Sequence, residues 1–236
     1  MLYGNLQASD KIAPMKKQAL IFDFDGLILD TESPEFDVWQ AIYREYGQEL
    51  AAETWGQIVG GWAASDFDAA EHLVKLAGNG LKPEALRQRH QSESDAIVRQ
   101  QPLMPGVLDY LDQARRLGLR LSIASSSPHS WVDPHLSRFA LTQRFDAIIC
   151  RDEVHPGRTK PHPDLFLKAL AALGVRADEA IVFEDSPNGV AAARAADIFV
   201  VAVPNPMTAL LDLDGANLKL NSLADLSLVD LLNKTL

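Results

Sequence analysis

Asp23 and Asp25 stand two residues apart where the apolar run Ala19-Leu20-Ile21-Phe22 ends, and Asp30 follows a turn or two later. Residues two apart in extended chain project to the same side, so the end of a buried strand carries two carboxylates on one face. Three more polar clusters are placed in the same way: Ser125 to Ser127 after 119–124, Lys160-Pro161 before a helical stretch at 162–174, and Glu184-Asp185-Ser186 after 180–183. If these apolar runs are parallel strands of one sheet, the clusters meet at one edge, beyond the carboxyl ends of the strands, where ligands of open α/β sheets bind. Carboxylates gathered there raise one another's pKa unless compensated. A Mg²⁺ ion resolves the conflict, because it takes oxygen ligands, keeps some waters and bridges carboxylates to a substrate phosphate. Lys160 and the serines suit the remaining phosphate oxygens, with backbone N–H groups at helix N-termini. One carboxylate of the Asp23/Asp25 pair can then attack phosphorus to form an aspartyl phosphate. The other can protonate the leaving oxygen and later take a proton from the hydrolytic water. Gly26 would relieve crowding where the chain leaves the strand.

The elements that must position these groups alternate. Short apolar runs at 18–22, 119–124, 145–150, 180–183 and 199–203 read as strands of a parallel sheet covered on both faces. Helical patterns at 105–118, 162–174 and 187–196 lie between them, the first with Leu108, Leu111, Ala114 and Leu117 along one side. The second has Pro163 near its start and Gly174 just past its end. The fold expected is α/β, a doubly wound, Rossmann-like parallel sheet. Residues 33–101 break the rhythm: Phe36, Trp39, Ile42, Tyr43 and Tyr46 recur at helical spacing and no strand-like run appears. An all-helical insertion is expected there. The core is then 17–32 with 102–236, closed by a last strand and a terminal helix after Pro206. Residues 1–16 are expected to form a poorly ordered extension.

A chain of 236 residues is long enough for such a core with a smaller insertion. With net charge −10 and no Lys/Arg run, it is a poor candidate for nucleic acid or anionic membrane binding. No apolar stretch has the length of a membrane span. The single cysteine, Cys150, excludes an internal disulfide and fits a reducing compartment, so a cytoplasmic location is the expectation, and the phosphate chemistry above points to a small phosphorylated metabolite as partner.

Taken together and in order, "DFDG" with "LILDTE", the strand-end Ser125, "KPHPDLF" and "FEDSPNG" resemble the haloacid dehalogenase superfamily. The spacing is similar to the subgroup with a small helical cap between the first two motifs, which includes β-phosphoglucomutase and sugar-phosphate phosphatases. The resemblance implies that Asp23 is the nucleophile and Asp25 the general acid/base. It implies that Ser125, Ser126 and Lys160 hold the transferring phosphoryl group. It implies that Asp23, the Asp25 carbonyl, Glu184 and Asp185 hold Mg²⁺. Asp30 and Thr31 match the hinge between core and cap, and because the group is often monomeric the resemblance also implies a monomer.

In this subgroup the cap supplies specificity, and Glu35, Trp62 and Arg89 are the candidate contacts. The mutase has a His where this chain has Glu35, and an Arg in the cap loop matched by "GGWAASDF", which has none. Without a cationic grip on a second phosphate, hydrolysis should win over isomerisation. Dehalogenases of the superfamily need neither the second Asp nor Mg²⁺, so Asp25 and Glu184-Asp185 argue against dehalogenation. A phosphonate hydrolase needs a reactive cap Lys, and Lys75 and Lys82 read as solvated surface residues. Each motif also has a plainer reading: Asp pairs form turns, serine loops cap helices, and Ser186 is placed to cap the helix after it. A phosphoglucomutase-like isomerase and a non-catalytic phosphometabolite sensor remain the alternatives to a Mg²⁺-dependent sugar-phosphate phosphatase, and a sensor has no need of Asp23.

Overall fold

Every residue of Ala19–Phe22 is buried, as a strand covered on both faces requires. This run is β1 in the computed structural model, which describes residues 17–61, 66–78 and 80–235. Four helices come next: α1 (Glu32–Glu45), α2 (Ala52–Trp55), α3 (Ala69–Ala77) and α4 (Pro83–Val98). Alternation then begins. α5 (Val107–Arg116) leads into β2 (Arg120–Ala124), α6 (His129–Arg138) into β3 (Ala147–Ile149), and α7 (Asp164–Leu173) into β4 (Ala180–Glu184). α8 (Pro187–Ala195) leads into β5 (Phe199–Ala202), and the short β6 (Leu218–Lys219) precedes α9 (Leu228–Lys234).

The strands form one parallel sheet in the order β3-β2-β1-β4-β5-β6. The chain moves outward from β1 through β2 to β3, then returns to the other side of β1 for β4. The sheet is therefore doubly wound, with its switch point at β1 and β4. Phe22 is level with Ile123 on β2 and Phe183 on β4, so the residues just past each strand emerge at the same height.

Period-two alternation splits the core between the two faces. Leu20, Phe22, Ile123, Ile181 and Phe183 pack with Val107, Tyr110, Leu111, Leu136 and Leu231. Ala19, Ile21 and Val182 pack with Leu165, Phe166 and Ala169 of α7 and with Val190 and Ala193 of α8. Phe22 stacks on Phe183 at 4.8 Å between ring centroids, and Tyr110 meets Phe183 edge-on at 5.5 Å. The buried stripe of α5 is Val107, Tyr110, Leu111 and Ala114, while Leu108 and Leu117 are exposed. The stripe is displaced from the expected one because the Tyr110 ring reaches over the sheet and its hydroxyl donates to the Leu226 carbonyl at 2.8 Å.

The helix ends obey local chemistry. Ser186 accepts from the Gly189 N–H, with Pro187 opening α8. Gly174 closes α7 in the left-handed region at φ 63°. Helices α1, α2, α3 and α4 share a separate apolar cluster of Phe36, Trp39, Ile42, Tyr43, Trp55, Leu73 and Leu86. No helix among the described residues is long and apolar enough to cross a membrane. The N-terminal extension expected at 1–16 lies outside the described residues.

Phe183 is the aromatic hub beneath the sheet edge. Phe183→Ala is expected to lower unfolding stability by about 3–5 kcal/mol, read as a shift in the urea midpoint.

Candidate active site

The hub of the sheet edge is a buried amine. Lys160 has no solvent exposure, and its Nζ lies 2.6 Å from Asp23 Oδ1 and 2.5 Å from Glu184 Oε1. Burial disfavours the ammonium, but the two carboxylates outweigh it and hold the Lys160 pKa above its ordinary value. The stem passes over the Phe166 ring, with Nζ 5.3 Å from the centroid. The amine therefore ties β1 and β4 to the segment entering α7.

Three carboxylates surround this one ammonium. Oxygens of Asp23, Glu184 and Asp185 lie within 4.8 Å of one another, and all three residues are buried. Burial, then the charge of Glu184, pushes Asp23 and Asp185 well above the ordinary carboxylate range. Glu184 is internally satisfied: Oε2 accepts from the N–H groups of Asp185 and Ser186 and from the Ser186 hydroxyl. Asp185 is not. Its Oδ2 accepts from Asn205 Nδ2 at 2.8 Å, whereas Oδ1 is buried with no partner among the described residues. An orphaned carboxylate oxygen beside two further carboxylates is a donor set that fits a hard, oxygen-seeking cation such as Mg²⁺. Gly26 (φ 76°) passes so close that a Cβ there would lie 2.2 Å from Asp185 Oδ2, so the turn after β1 admits only glycine.

Asp25 is held differently. Its Oδ1 accepts from Trp131 Nε1 at 2.7 Å and Thr31 Oγ1 at 3.2 Å, and its Oδ2 from Ser127 Oγ at 2.7 Å and Ser125 Oγ at 3.2 Å. Four donors from three parts of the chain fix this carboxylate beside Asp23. Ser125 also accepts from the Ser127 N–H, and Ser126 donates to the Gly60 carbonyl at 2.9 Å. Thr31 thus touches the site as well as beginning α1, while Asp30 caps it by accepting from the Ser33 N–H.

These groups floor a cleft of about 340 Å³ whose walls include Glu32 and Glu35 of α1, Gln91 of α4, Trp131, and Arg151 after β3. Burial, then repulsion by Glu35 and Asp25, raises Glu32 well above its ordinary value. Burial, then the charges of Asp25 and Asp95, raises Glu35 to about 8. The loop after α2 sits against the core: Asn188 Nδ2 donates to the Val59 carbonyl at 2.8 Å. A Cβ on Gly61 would meet the Lys160 carbonyl at 2.0 Å, so the pair Gly60-Gly61 lets the backbone approach.

The structure brings Asp23, Asp25, Ser125, Ser126, Lys160, Glu184 and Asp185 together, and sets Glu35 in the cleft wall. Arg89 is a correction. It lies on the outer side of α4, bonded to Glu45 at 2.6 Å and Glu93 at 2.7 Å, because the residues of α4 that turn inward are His90 and Gln91. Trp62 lies outside the described residues. Sequence reasoning missed Asn205, which bonds Asp185 and also donates to the Gly26 carbonyl at 3.2 Å. Extending the strand-end rule to β5 would have found it, since "PNP" comes just after that strand. Trp131, whose indole donates to Asp25, has no pattern in the chain that marks it as a site residue.

Residues 20–203 match the model of the haloacid dehalogenase-like hydrolases. The protein YhcW of Bacillus subtilis is 40% identical over 216 residues, which cover 92% of this chain and 96% of that one. Hexitol phosphatase B of Escherichia coli is 31% identical over 232 residues, 93% of this chain and 98% of that one. Among solved structures, the fold is similar to CbbY from Rhodobacter sphaeroides in complex with phosphate, with TM-score 0.69, 24% identity, and coverage of 91% and 99% of the two chains.

Saturating Mg²⁺ should raise the thermal midpoint, since a ligand at about 100 times its Kd adds about 2.7 kcal/mol. Asn205→Ala should need roughly 10-fold more Mg²⁺ for the same shift, because Asp185 loses its orienting bond. Glu35→Gln should stabilise the protein at pH 7–8, measured by urea unfolding across pH. The folded Glu35 holds its proton up to about 8, so wild type loses stability as pH rises from the ordinary Glu range to that value. The gain should therefore vanish as pH falls to 4.

Proposed function

The chain belongs to the haloacid dehalogenase-like hydrolases and is a phosphoric monoester hydrolase of that type, and on this premise we propose that it is a Mg²⁺-dependent phosphatase of a small sugar or sugar-alcohol phosphate, working through an aspartyl phosphate. The observation that carries the reading is Lys160 bridging Asp23 and Glu184 beneath a cleft in which four donors aim Asp25.

In this mechanism Asp23 attacks phosphorus and the phosphate–oxygen bond to the leaving group breaks. Asp25 delivers a proton to the departing oxygen, and its bonds to Trp131, Thr31, Ser125 and Ser127 keep the carboxyl aligned for that transfer. Water then attacks the aspartyl phosphate, Asp25 takes its proton, and phosphate leaves with Asp23 regenerated. Lys160 keeps Asp23 oriented and neutralises charge on the phosphoryl oxygens, with the serine loop and its backbone N–H groups on the other side. Asp23, the Asp25 carbonyl and Asp185 would hold Mg²⁺, with Glu184 beside them. When bound, the ion supplies compensation for the clustered carboxylates and for the phosphate charge.

We propose residues 33–101 as a cap on a core of 17–32 and 102–236, the cap closing over the leaving group and excluding bulk water. The Gly60-Gly61 approach to Lys160 and the Asn188 bond to Val59 support that role. On the cap side the described cleft wall offers the carboxyl groups of Glu32 and Glu35 and the Gln91 amide but no Lys or Arg, and this favours hydroxyl-rich leaving groups over any bearing a second phosphate. It also weighs against the phosphoglucomutase-like alternative, which must grip two phosphates. A sensor would leave the buried Asp23–Lys160 pair without a task.

Purified protein with Mg²⁺ should release inorganic phosphate from a panel of hexose and hexitol phosphates. Asp23→Asn should lower kcat by at least about 10³-fold, and chelator should abolish turnover. Conversion of β-glucose 1-phosphate to the 6-phosphate without net phosphate release would establish the mutase instead. Absence of turnover on the whole panel, including an aryl phosphate, would sink both.

A further inference from the structure

Four strand ends, those of β1, β2, β4 and β5, deliver Asp23, the serine loop, Glu184-Asp185 and Asn205 to the site. The end of β3 delivers Arg151. Ile149 is level with Ala124 of β2, and its carbonyl accepts from the Ser125 N–H at 2.9 Å, so the residues after β3 run beside the serine loop. The Arg151 N–H donates to the Ser127 carbonyl at 3.0 Å, which holds this residue at the cleft. Arg151 is the one Lys or Arg among the described residues that line the cleft. Its guanidinium has no ion-pair or hydrogen-bond partner among the described residues. Acids stand beside it without engaging it. Asp152 accepts from the His129 N–H at 2.7 Å, and Glu153 bonds His129 Nε2 and the Cys150 N–H, each at 2.6 Å. Elsewhere arginines near carboxylates pair with them, as Arg158 does with Asp164 at 2.7 Å and Arg176 with Asp178 at 3.0 Å. An unpaired guanidinium held at the wall of the cleft leaves room for an anion of the ligand.

We propose that Arg151 selects a leaving group that bears a carboxylate, so that the preferred substrate is the phosphate ester of a polyhydroxy acid. The inference rests on the phosphatase reading for which end of the ligand lies over Asp23. A guanidinium takes a carboxylate through two parallel N–H···O bonds, which gives direction as well as charge. A second phosphate fits less well, because its two negative charges would meet this one cation and no other on the described walls. The sheet order also sets the length of the ligand. β3 lies two strand spacings from β1, about 10 Å, so the carboxylate lies several bonds from the ester rather than on the next carbon. A six-carbon acid phosphorylated at its far end has that reach, and its intervening hydroxyls meet Glu35 and Gln91. Glu35 does not oppose the carboxylate at neutral pH. Burial, then the charges of Asp25 and Asp95, raises it to about 8, and it keeps its proton.

D-gluconate 6-phosphate and D-glucitol 6-phosphate differ only at C1, a carboxylate in one and a CH₂OH in the other, and make the test. Their Kd values are measured by calorimetry with Mg²⁺ on the Asp23→Asn protein, which lacks the nucleophile. The gluconate ester should bind at least about 10-fold more tightly, and adding Arg151→Gln should bring the two Kd values within about 2-fold. Should Asp23→Asn fail to fold, the ratio of kcat/KM values with Asp23 intact reads the same preference, with and without Arg151→Gln. Equal values for the two esters, or a ratio unchanged by Arg151→Gln, would overturn the carboxylate contact. A larger Arg151-dependent gain for glucose 1,6-bisphosphate than for the gluconate ester would assign the residue to a second phosphate and overturn it too. Wild-type turnover of an aryl phosphate is measured in parallel. If that turnover is absent while the Arg151-dependent binding ratio stands, the phosphatase reading falls and the carboxylate contact does not.

Discussion

A single buried ammonium holds the site together. Lys160 bonds both the end of β1, through Asp23, and the end of β4, through Glu184. Neither carboxylate is stable alone in that environment, and neither is the amine. Losing one partner of such a buried group leaves an uncompensated charge, which costs about 3–5 kcal/mol. The two strands at the switch point are thus joined electrostatically as well as by their hydrogen-bonded ladder. The excess of carboxylate over ammonium gives the same place a donor set that fits a cation.

The rest of the site is arranged around that excess. Asn205 turns one oxygen of Asp185 aside and leaves the other free. Glu184 spends its oxygens on Lys160, on Ser186 and on the Asp185 backbone, which fixes the turn into α8. Asp25, only two residues from Asp23, sits in an unlike environment of four donors and no cation. That difference in surroundings is the physical basis of the two different tasks proposed for these identical side chains. On the opposite wall, α1 adds Glu32 and Glu35 where a cation would have suited a doubly phosphorylated ligand. The cleft therefore combines a floor crowded with carboxylates and a wall of carboxyl groups from α1.

Much of this was legible in the linear chain, because each strand-end cluster is local. The run 18–22 with Asp-x-Asp-Gly after it, the serines after 124, and Glu184-Asp185-Ser186 after 180–183 each declare a strand together with the polar group at its end. A parallel sheet with strands in register then brings those ends together without further information. Ser186 as a helix cap was legible for the same reason. The tail was less legible, since β6 is two residues long and is defined by its pairing with β5 rather than by its own pattern.

The sequence by itself determined the sheet and the identity of the charged groups at its edge, since both depend on period-two burial and on residues adjacent to a strand. Only the tertiary structure decided which side chains of the helical unit meet the cleft. On α4 the neighbours Arg89, His90 and Gln91 point in different directions, and a helix with few apolar residues carries no stripe strong enough to say which turns inward. Trp131 reaches Asp25 across the fold, and such a contact arises from packing rather than spacing. Chemistry written at strand ends could be read directly. Specificity, built from helix faces that meet only after folding, could not.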